Sequence, residues 1–412
     1  MRDDIKTAKG PRRKVARLAE PKQETDEPKE LAFKTPEETA QTDLPTEPKE
    51  MSFKNTKKFD GDKIKRFFSR SLSIKQWGLG FLLILIVIMG GVAYETKSNI
   101  LPPPDTTTHA KTVYIPPKTT EPSRLTGVEI QKELNLLPTT AVQIENSPDA
   151  RPQAGLYDAG IVTEAIAEGG ITRFNAVYLE GQPERIGPVR SLRPYYSDFF
   201  LPYDAALAHA GGSGQALAEI GPLGIKSMDH GANGGTYSRD SNRFAPHNLY
   251  TSRARLLENQ NGKGWTTSTF TSIVRKAEKK AETPTARVVD VAISSFLYNP
   301  RFEYDGATNS YLRVMAGKPH VDENGARQIN PKVVIVLIMP HHYAGIYSVY
   351  QTTGAGKAYI FQDGTVVEGV WQKDGRGSQF VFGDANSAPI GLNPGQTWMT
   401  LASTIGQVTI TP

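Results

Sequence analysis

The chain has 412 residues, of which 38% are hydrophobic and 29 are proline, and its formal net charge is +5. This small positive excess is scattered and forms no basic stripe interleaved with aromatic residues, which argues against a nucleic-acid-binding protein. The sequence contains no cysteine, which excludes thiol catalysis, cysteine-ligated zinc, disulfides and an anchor on an acylated cysteine.

The first 62 residues are rich in Lys, Glu, Pro and Thr and lack apolar periodicity, which predicts a disordered cytoplasmic tail. Residues 63–97 combine a basic flank with an uncharged apolar run from Trp77 to Tyr94. At about 1.5 Å per residue this run of roughly 18 residues matches the thickness of a bilayer and predicts a single transmembrane helix at about 77–94. Basic residues are concentrated before the run, so the positive-inside rule places the N-terminus in the cytoplasm and the large C-terminal region outside it.

Residues 98–123 hold clusters of proline and threonine, which predict an extended stalk. Folding patterns start at about residue 124. Strand-like runs at 161–165, 174–179 and 205–209, a short helix at 214–220 and a helical region at 253–282 predict an α/β domain over residues 124–285.

The character of the sequence changes in residues 286–412. Strands are predicted at 288–293, 311–315, 333–339, 358–361, 365–370 and 398–402, and Asp363-Gly364 is a strong hairpin turn. The predicted fold class is therefore α+β: a single N-terminal transmembrane helix, then an extracytoplasmic α/β domain, then a mainly β domain.

Polar residues of the first domain cluster beside predicted strand ends and Gly/Pro turns, where functional residues gather. Arginines bind phosphates or carboxylates with two hydrogen bonds, carboxylates hold divalent metals, and histidines transfer protons. The Gly-Gly-Ser-Gly run at 211–214 offers backbone N–H groups to an anion. In a competing interpretation these pairs and turns serve only the structure. The candidate ligand-binding residues are Glu164, Glu168, Arg173, Arg190, Arg193, His209, Ser213, Asp240, Arg243, His247 and Asn248.

Recognised catalytic patterns are missing. The sequence has neither a Gly-x-Ser-x-Gly nucleophile elbow nor a His-Glu-x-x-His zinc motif. His341 and His342 are neighbours at a predicted strand end and point to opposite faces, which argues against a shared metal. The sequence therefore leaves the catalytic residues unknown, predicts no metal site, and leaves open whether the chain is an enzyme.

Six segments occur in a distinctive order: RPQAGLYDAGIVTEAIAEGGITRF, RIGPVRSLRPYY, HAGGS, APHNLYTS, GKAYIFQDGTVVEGVWQKD and LNPGQTW. With them, residues 124–412 resemble the YerB-like family of bacterial surface lipoproteins. The resemblance implies two consecutive domains and exposure outside the cytoplasm, and it implies no activity. The chain departs from the family in its anchor, because the apolar run replaces the lipid-carrying cysteine.

A weaker resemblance links Thr172-Arg173, the segment 186–191 and the segment 209–212 to the LytR–CpsA–Psr phosphotransferases of the cell envelope. Those proteins bind polyprenyl pyrophosphate through arginines and a metal-holding acid, but Ser191 follows Arg190 where their signature has an aspartate. This departure puts metal binding and catalysis in doubt.

Two main hypotheses of function follow. In the first, a membrane-anchored envelope protein binds an anionic or glycan ligand, such as a cell-wall glycan or a lipid-linked precursor, in an Arg/His-lined cleft of the first domain; its cofactor is unknown. In the second, a phosphotransferase acts on polyprenyl-pyrophosphate-linked glycans, with Mg²⁺ on Asp240 or Glu164. A third, structural hypothesis makes the β domain a protein-interaction module.

Overall fold

The structure, a computed structural model, describes residues 119–412, and this part of the chain is mainly β. Strands hold 39% of it and helices 14%. The predicted α+β class is therefore wrong, because the helices remain short additions to sheets; the longest, Arg253–Gly262, has 10 residues. None of the helices within residues 119–412 has the length and apolar composition needed to cross a membrane. The predicted tail, the transmembrane helix at about 77–94 and the stalk up to residue 118 lie outside the described residues.

The strands, in chain order, are β1 (Thr120–Pro122), β2 (Glu129–Gln131), β3 (Thr140–Glu145), β4 (Ile161–Glu168), β5 (Ile171–Tyr178), β6 (Ala206–His209), β7 (Ser227–Asp229), β8 (Ser238–Arg239), β9 (Leu249–Tyr250), β10 (Val288–Val291), β11 (Pro300–Asp305), β12 (Ser310–Met315), β13 (Lys318–Pro319), β14 (Val321–Asp322), β15 (Arg327–Gln328), β16 (Val333–Ile338), β17 (His341–Ala344), β18 (Tyr347–Tyr350), β19 (Gly354–Gln362), β20 (Thr365–Lys373), β21 (Val381–Gly383), β22 (Thr397–Ala402) and β23 (Val408–Thr411). The α-helices are α1 (Lys132–Asn135), α2 (Ser197–Phe200), α3 (Gly214–Ala218) and α4 (Arg253–Gly262). Short 3-10 turns lie at Pro148–Ala150, Pro194–Tyr196, Leu201–Tyr203, Gly234–Thr236, Asn324–Ala326 and Ile405–Gln407.

One 12-stranded sheet takes strands from both halves of the described chain. Ten of them follow the order β21-β20-β19-β16-β22-β4-β5-β3-β6-β7, and the hairpin β17–β18 attaches to the end of β4. β16, β22 and β4 are parallel, β3, β6 and β7 are parallel, and β5 lies antiparallel between the two groups. Since β3 and β4 both oppose β5, all six of these parallel strands end at the same edge, the carboxyl edge of the sheet.

The two faces of the large sheet are covered differently. One face packs against a second sheet with the order β13-β12-β11-β10-β23, and Phe174, Phe302 and Trp398 are buried between the two sheets. The other face packs against residues 194–203, whose Phe200 is completely buried with its aromatic neighbours. Burial of apolar surface on both faces explains why the central strands are almost continuously hydrophobic.

The predicted helical region at 253–282 is correct only in its first part, because α4 ends at Gly262. The following residues are rich in threonine and serine, which favour helices weakly. Their backbone pairs with distant segments instead: Lys276 N donates to Leu392 O at 3.0 Å, and Ala281 N donates to Asp363 O at 2.9 Å. These tertiary hydrogen bonds replace the i→i−4 bonds of a helix.

The nine predicted strands are confirmed, with ends that shift by a few residues. The predicted hairpin turn between β19 and β20 is confirmed as well, since Asp363 and Gly364 have φ values of 59° and 77°. A two-residue turn with positive φ at both positions matches the twist of the flanking strands. The sequence did not predict β3, β11 or the β17–β18 hairpin.

Candidate functional site

The carboxyl edge of the large sheet gathers acidic and basic side chains from four strands. β3, β4, β6 and β7 end there at Glu145, Glu168, His209 and Asp229. The segment 187–193 crosses this edge, because Arg190 N donates to Gln143 O at 2.8 Å and Ala210 N donates to the carbonyl of Arg190 at 3.0 Å. Ligand sites of open sheets commonly lie at the carboxyl ends of parallel strands.

Glu145 organises the first group of side chains at this edge. Its Oε1 lies 3.1 Å from Arg190 Nε, and its Oε2 lies 3.0 Å from His247 Nδ1. Ser147 Oγ donates to the same carboxylate at 3.0 Å and lies 3.2 Å from the His247 ring. Glu145 is only 3% exposed, whereas the Arg190 side chain is 28% exposed. A buried carboxylate thus holds a partly exposed guanidinium at the surface.

Arg190 retains donors for a ligand. Neither of its Nη groups donates to an acceptor within residues 119–412, and its Nε contact with Glu145 is an ion pair without hydrogen-bond geometry. The backbone N–H of the next residue, Ser191, also donates to no acceptor in this part of the chain. The two Nη groups and the neighbouring amide are donors from which a phosphate or carboxylate can accept hydrogen bonds.

Glu168 organises the second group. It accepts from Arg173 Nη2 at 2.8 Å and pairs with Arg193 Nη2 at 2.7 Å. Burial raises the pKa of Glu168, but the two neighbouring arginines outweigh this effect and hold the pKa below its usual value. Arg173 also donates to Ser191 O at 2.7 Å, and the Arg193 guanidinium lies 5.2 Å from the centre of the Tyr347 ring. The charges of this group are thus paired within the protein, and Arg173 Nε, which has no partner within residues 119–412, is buried.

His209 lies on the same edge and is completely buried. Its Nδ1 lies 2.8 Å from Gly211 O, and its Nε2 lies 2.8 Å from Ser227 Oγ. Burial lowers the pKa of the imidazole despite the Gly211 carbonyl and Asp229, which oppose this effect. The neutral ring therefore joins β6 to β7 and does not reach the surface.

The Gly-Gly-Ser-Gly run is used by the fold. Gly211 N donates to Asp229 Oδ1 at 2.7 Å, and Ser213 Oγ accepts from Ala216 N at 3.3 Å and caps the five-residue helix α3. Two of the groups expected to cradle an anion are thus already engaged.

A third group joins the predicted residues 240–248 to the segment 321–328. Asp240 forms an ion pair with Arg185, which holds the pKa of Asp240 below its usual value. Arg243 donates to Pro152 O at 3.0 Å and to Glu323 Oε2 at 3.2 Å. Asn248 donates to the carbonyls of Asp240 and Arg243, both at 3.1 Å. These contacts stabilise the loop that carries His247.

Glu164 lies apart from the edge, in the core between the two sheets. Its Oε2 forms a completely buried ion pair with Arg313 Nη2 at 2.7 Å and lies 3.3 Å from Trp398 Nε1. Thr172 Oγ1 donates to its Oε1 at 3.2 Å. Within residues 119–412, no group of three or more His, Asp or Glu side chains is arranged to hold a metal ion.

The structure thus brings Arg173, Arg190, Arg193 and His247 to one edge and separates Glu164 from them. It also adds Glu145, which sequence reasoning missed because β3 was not recognised. The available signal was a short β-prone run, 140–145, that ends in a carboxylate, as β4 does.

The sequence matches two models described as the N-terminal and C-terminal domains of a protein of unknown function, DUF3048, over residues 125–266 and 289–399. It is 28% identical over 303 residues to YerB of Bacillus subtilis (strain 168), a protein named as a lipoprotein, covering 69% of this chain and 87% of that protein. The crystal structure of YerB from Bacillus subtilis superposes with a TM-score of 0.65 at 26% identity and covers 70% of this chain and 99% of the YerB chain.

Proposed function

The chain belongs to the YerB-like family of proteins with two DUF3048 domains, and we propose that it serves the bacterial cell envelope by binding an anionic ligand at the carboxyl edge of its large sheet. The envelope location is supported by the relative that is named as a lipoprotein. The ligand class is a phosphate or carboxylate group carried by an envelope polymer or by a lipid-linked precursor.

The observation that carries this proposal is the set of unpartnered donors on Arg190. Its side chain is 28% exposed and keeps both Nη groups free of acceptors within residues 119–412. Arg173 and Arg193, in contrast, share the carboxylate of Glu168 and donate to backbone carbonyls. An incoming anion therefore meets spare donors at Arg190, whereas the unpartnered Nε of Arg173 is buried out of its reach.

Glu145 prepares this donor for a ligand. Its Oε1 lies 3.1 Å from Arg190 Nε, so the negative charge of the carboxylate holds the guanidinium at this place on the edge. The same carboxylate receives His247 and Ser147, so its position is fixed from several sides. Pre-oriented donors lose little conformational entropy when a ligand binds, which favours affinity.

Calorimetric titration of the full-length chain with inorganic pyrophosphate tests the proposal, with glycerol-3-phosphate as a comparison ligand that carries a single phosphate group. We expect saturable binding that weakens with salt and becomes about tenfold weaker in Arg190→Ala, the loss of one charge-assisted pair. Arg190→Lys should bind with intermediate affinity, because lysine keeps the charge and loses the two-pronged geometry.

Arg287→Ala is the matched control, since Arg287 is an exposed arginine just before β10, remote in sequence from the edge segments. Equal affinities of the Arg190→Ala and Arg287→Ala proteins would contradict the proposal, and so would the absence of any binding at millimolar pyrophosphate. Melting temperatures of the variants show whether a loss of binding reflects a loss of fold.

A further inference from the structure

A groove of about 400 Å³ lies beside the carboxyl edge. Its walls are the segment 194–198, the first residues of α3 and the hairpin β17–β18 with the residues that follow it. Its volume falls within the range of small-molecule sites, about 300–1,000 Å³. The groove is separate from Arg190, which is not among its lining residues.

Three tyrosines supply the apolar surface of the groove. Tyr195 Oη donates to Ile166 O at 2.5 Å, and Tyr350 Oη accepts from Ile166 N at 3.2 Å. Because these hydroxyls are engaged by β4, the two side chains offer the groove ring surface. Tyr347 stands at the rim and is 39% exposed. A flat aromatic ring at the mouth of a polar groove can pack against the apolar face of a sugar ring.

The groove also has neutral hydrogen-bonding groups without protein partners. Ser348 is only 3% exposed, and its Oγ finds no partner within residues 119–412 although it lines the groove. A buried hydroxyl without a partner costs about 1–3 kcal/mol, so it marks a place where a ligand or water belongs. Gln351 and Thr353 add exposed or half-exposed amide and hydroxyl groups to the same wall.

The charged residues of the groove neutralise one another in part. Arg376 Nε lies 2.5 Å from Asp198 Oδ1, and its Nη1 lies 2.8 Å from Glu219 Oε2. Two carboxylates thus engage the one guanidinium, and Lys373 also interacts electrostatically with Asp198, so the charges beside the groove are largely paired. The groove therefore suits a neutral ligand, unlike the site at Arg190.

We propose that this groove binds a neutral oligosaccharide, with a sugar ring packed on Tyr347 and hydroxyl or acetamide groups hydrogen-bonded to Ser348 and Gln351. Sugars combine an apolar face with closely spaced hydroxyls, and the groove offers a complementary set of groups. The inference does not rest on the anion site, since it uses different residues.

Calorimetric titration of the full-length chain with the β-1,4-linked tetramer of N-acetylglucosamine tests this site, with cellotetraose as the probe that lacks acetamides. We expect saturable binding of at least one of them and a loss of about tenfold in affinity in Tyr347→Ala. Tyr343→Ala is the matched control, because Tyr343 is 53% exposed on the same hairpin and does not line the groove; its affinity should be unchanged.

Ser348→Ala separates a binding role from a structural one. Removing a hydroxyl that has no protein partner should leave the melting temperature unchanged or raise it, while sugar affinity falls by about fivefold. Pyrophosphate binding should survive in Tyr347→Ala, and sugar binding should survive in Arg190→Ala. Failure of both probes at millimolar concentration, or equal losses in Tyr347→Ala and Tyr343→Ala, would overturn the proposal.

Discussion

The buried ion pair of Glu164 and Arg313 joins the two halves of the described chain. The substitution Glu164→Gln should reveal how much this pair contributes to the free energy of unfolding. Both side chains are completely buried, and the Arg313 guanidinium also lies 4.5 Å from the centre of the Trp398 ring. Burial lowers the pKa of Arg313, and the Glu164 carboxylate opposes that effect. The substitution keeps the shape of the side chain and removes the charge that compensates the guanidinium.

The expected cost follows from the geometry. Two unit charges about 4 Å apart interact by about 4 kcal/mol at an effective dielectric constant of about 20. Breaking a buried pair from one side costs about 3–5 kcal/mol in other proteins. We therefore expect urea unfolding to show a loss of about 4 kcal/mol, and calorimetry to show a melting temperature lower by roughly 8 °C at about 2 °C per kcal/mol.

Two further variants serve as controls for this measurement. Glu368→Gln breaks a surface pair with Lys357, 2.7 Å apart, whose carboxylate side chain is 58% exposed, and should cost under about 1 kcal/mol. Replacing Glu164 and Arg313 together by methionine should recover most of the loss, because no unpaired charge then remains. A loss in Glu164→Gln no larger than that in Glu368→Gln, or a double variant less stable than the single one, would contradict a strong buried ion pair.

Three other predictions concern Glu168, Gly181 and His209. Glu168→Gln should lower the free energy of unfolding by about 1–2 kcal/mol at pH 7, since two arginines lose their carboxylate. Because the pKa of Glu168 is lowered in the fold, its stabilisation is present above the unfolded pKa and disappears as pH falls through the folded pKa, so the melting temperatures of variant and parent should converge in acid. Gly181→Ala should cost about 1–3 kcal/mol in urea unfolding, because a Cβ at this position would collide with the backbone carbonyl of Asp158. Acidification below about pH 6.5 should destabilise the chain, since the pKa of His209 is lowered in the fold and the unfolded state gains the proton first; His209→Asn should reduce the slope of melting temperature against pH.

Strands and the hairpin turn could be predicted because their signals are local. The run at 333–339 is hydrophobic at nearly every position, and Asp363-Gly364 supplies the positive φ values of a tight turn. Strand pairing is not local. β22 inserts between β16 and β4, so that Trp398 lies beside Glu164 although 234 residues separate them. Nothing in either segment alone specifies such a partner.

The candidate site residues also depend on distant segments that a local pattern does not reveal. The sequence placed Arg173, Arg190 and Arg193 near strand ends, but the availability of their donors depends on distant carboxylates. Glu168 occupies two of the arginines, whereas Glu145 holds the third and leaves both its Nη groups free within the described residues. Glu164 shared the sequence environment of Glu168 but faces the core, because residues four apart on a bulged strand need not share surroundings.

The central position of β22 also has a consequence for how the chain folds during its synthesis. Because the chain is synthesised from its N-terminus, the edge of β4 that pairs with β22 has no partner strand until residues 397–402 have been made. Unpaired strand edges invite pairing with other chains, and contacts of large sequence separation form slowly. The nascent protein therefore needs protection, by a chaperone or by confinement, until residues 397–402 have emerged, and a stop codon shortly before residue 397 should yield aggregates in place of a shortened soluble product.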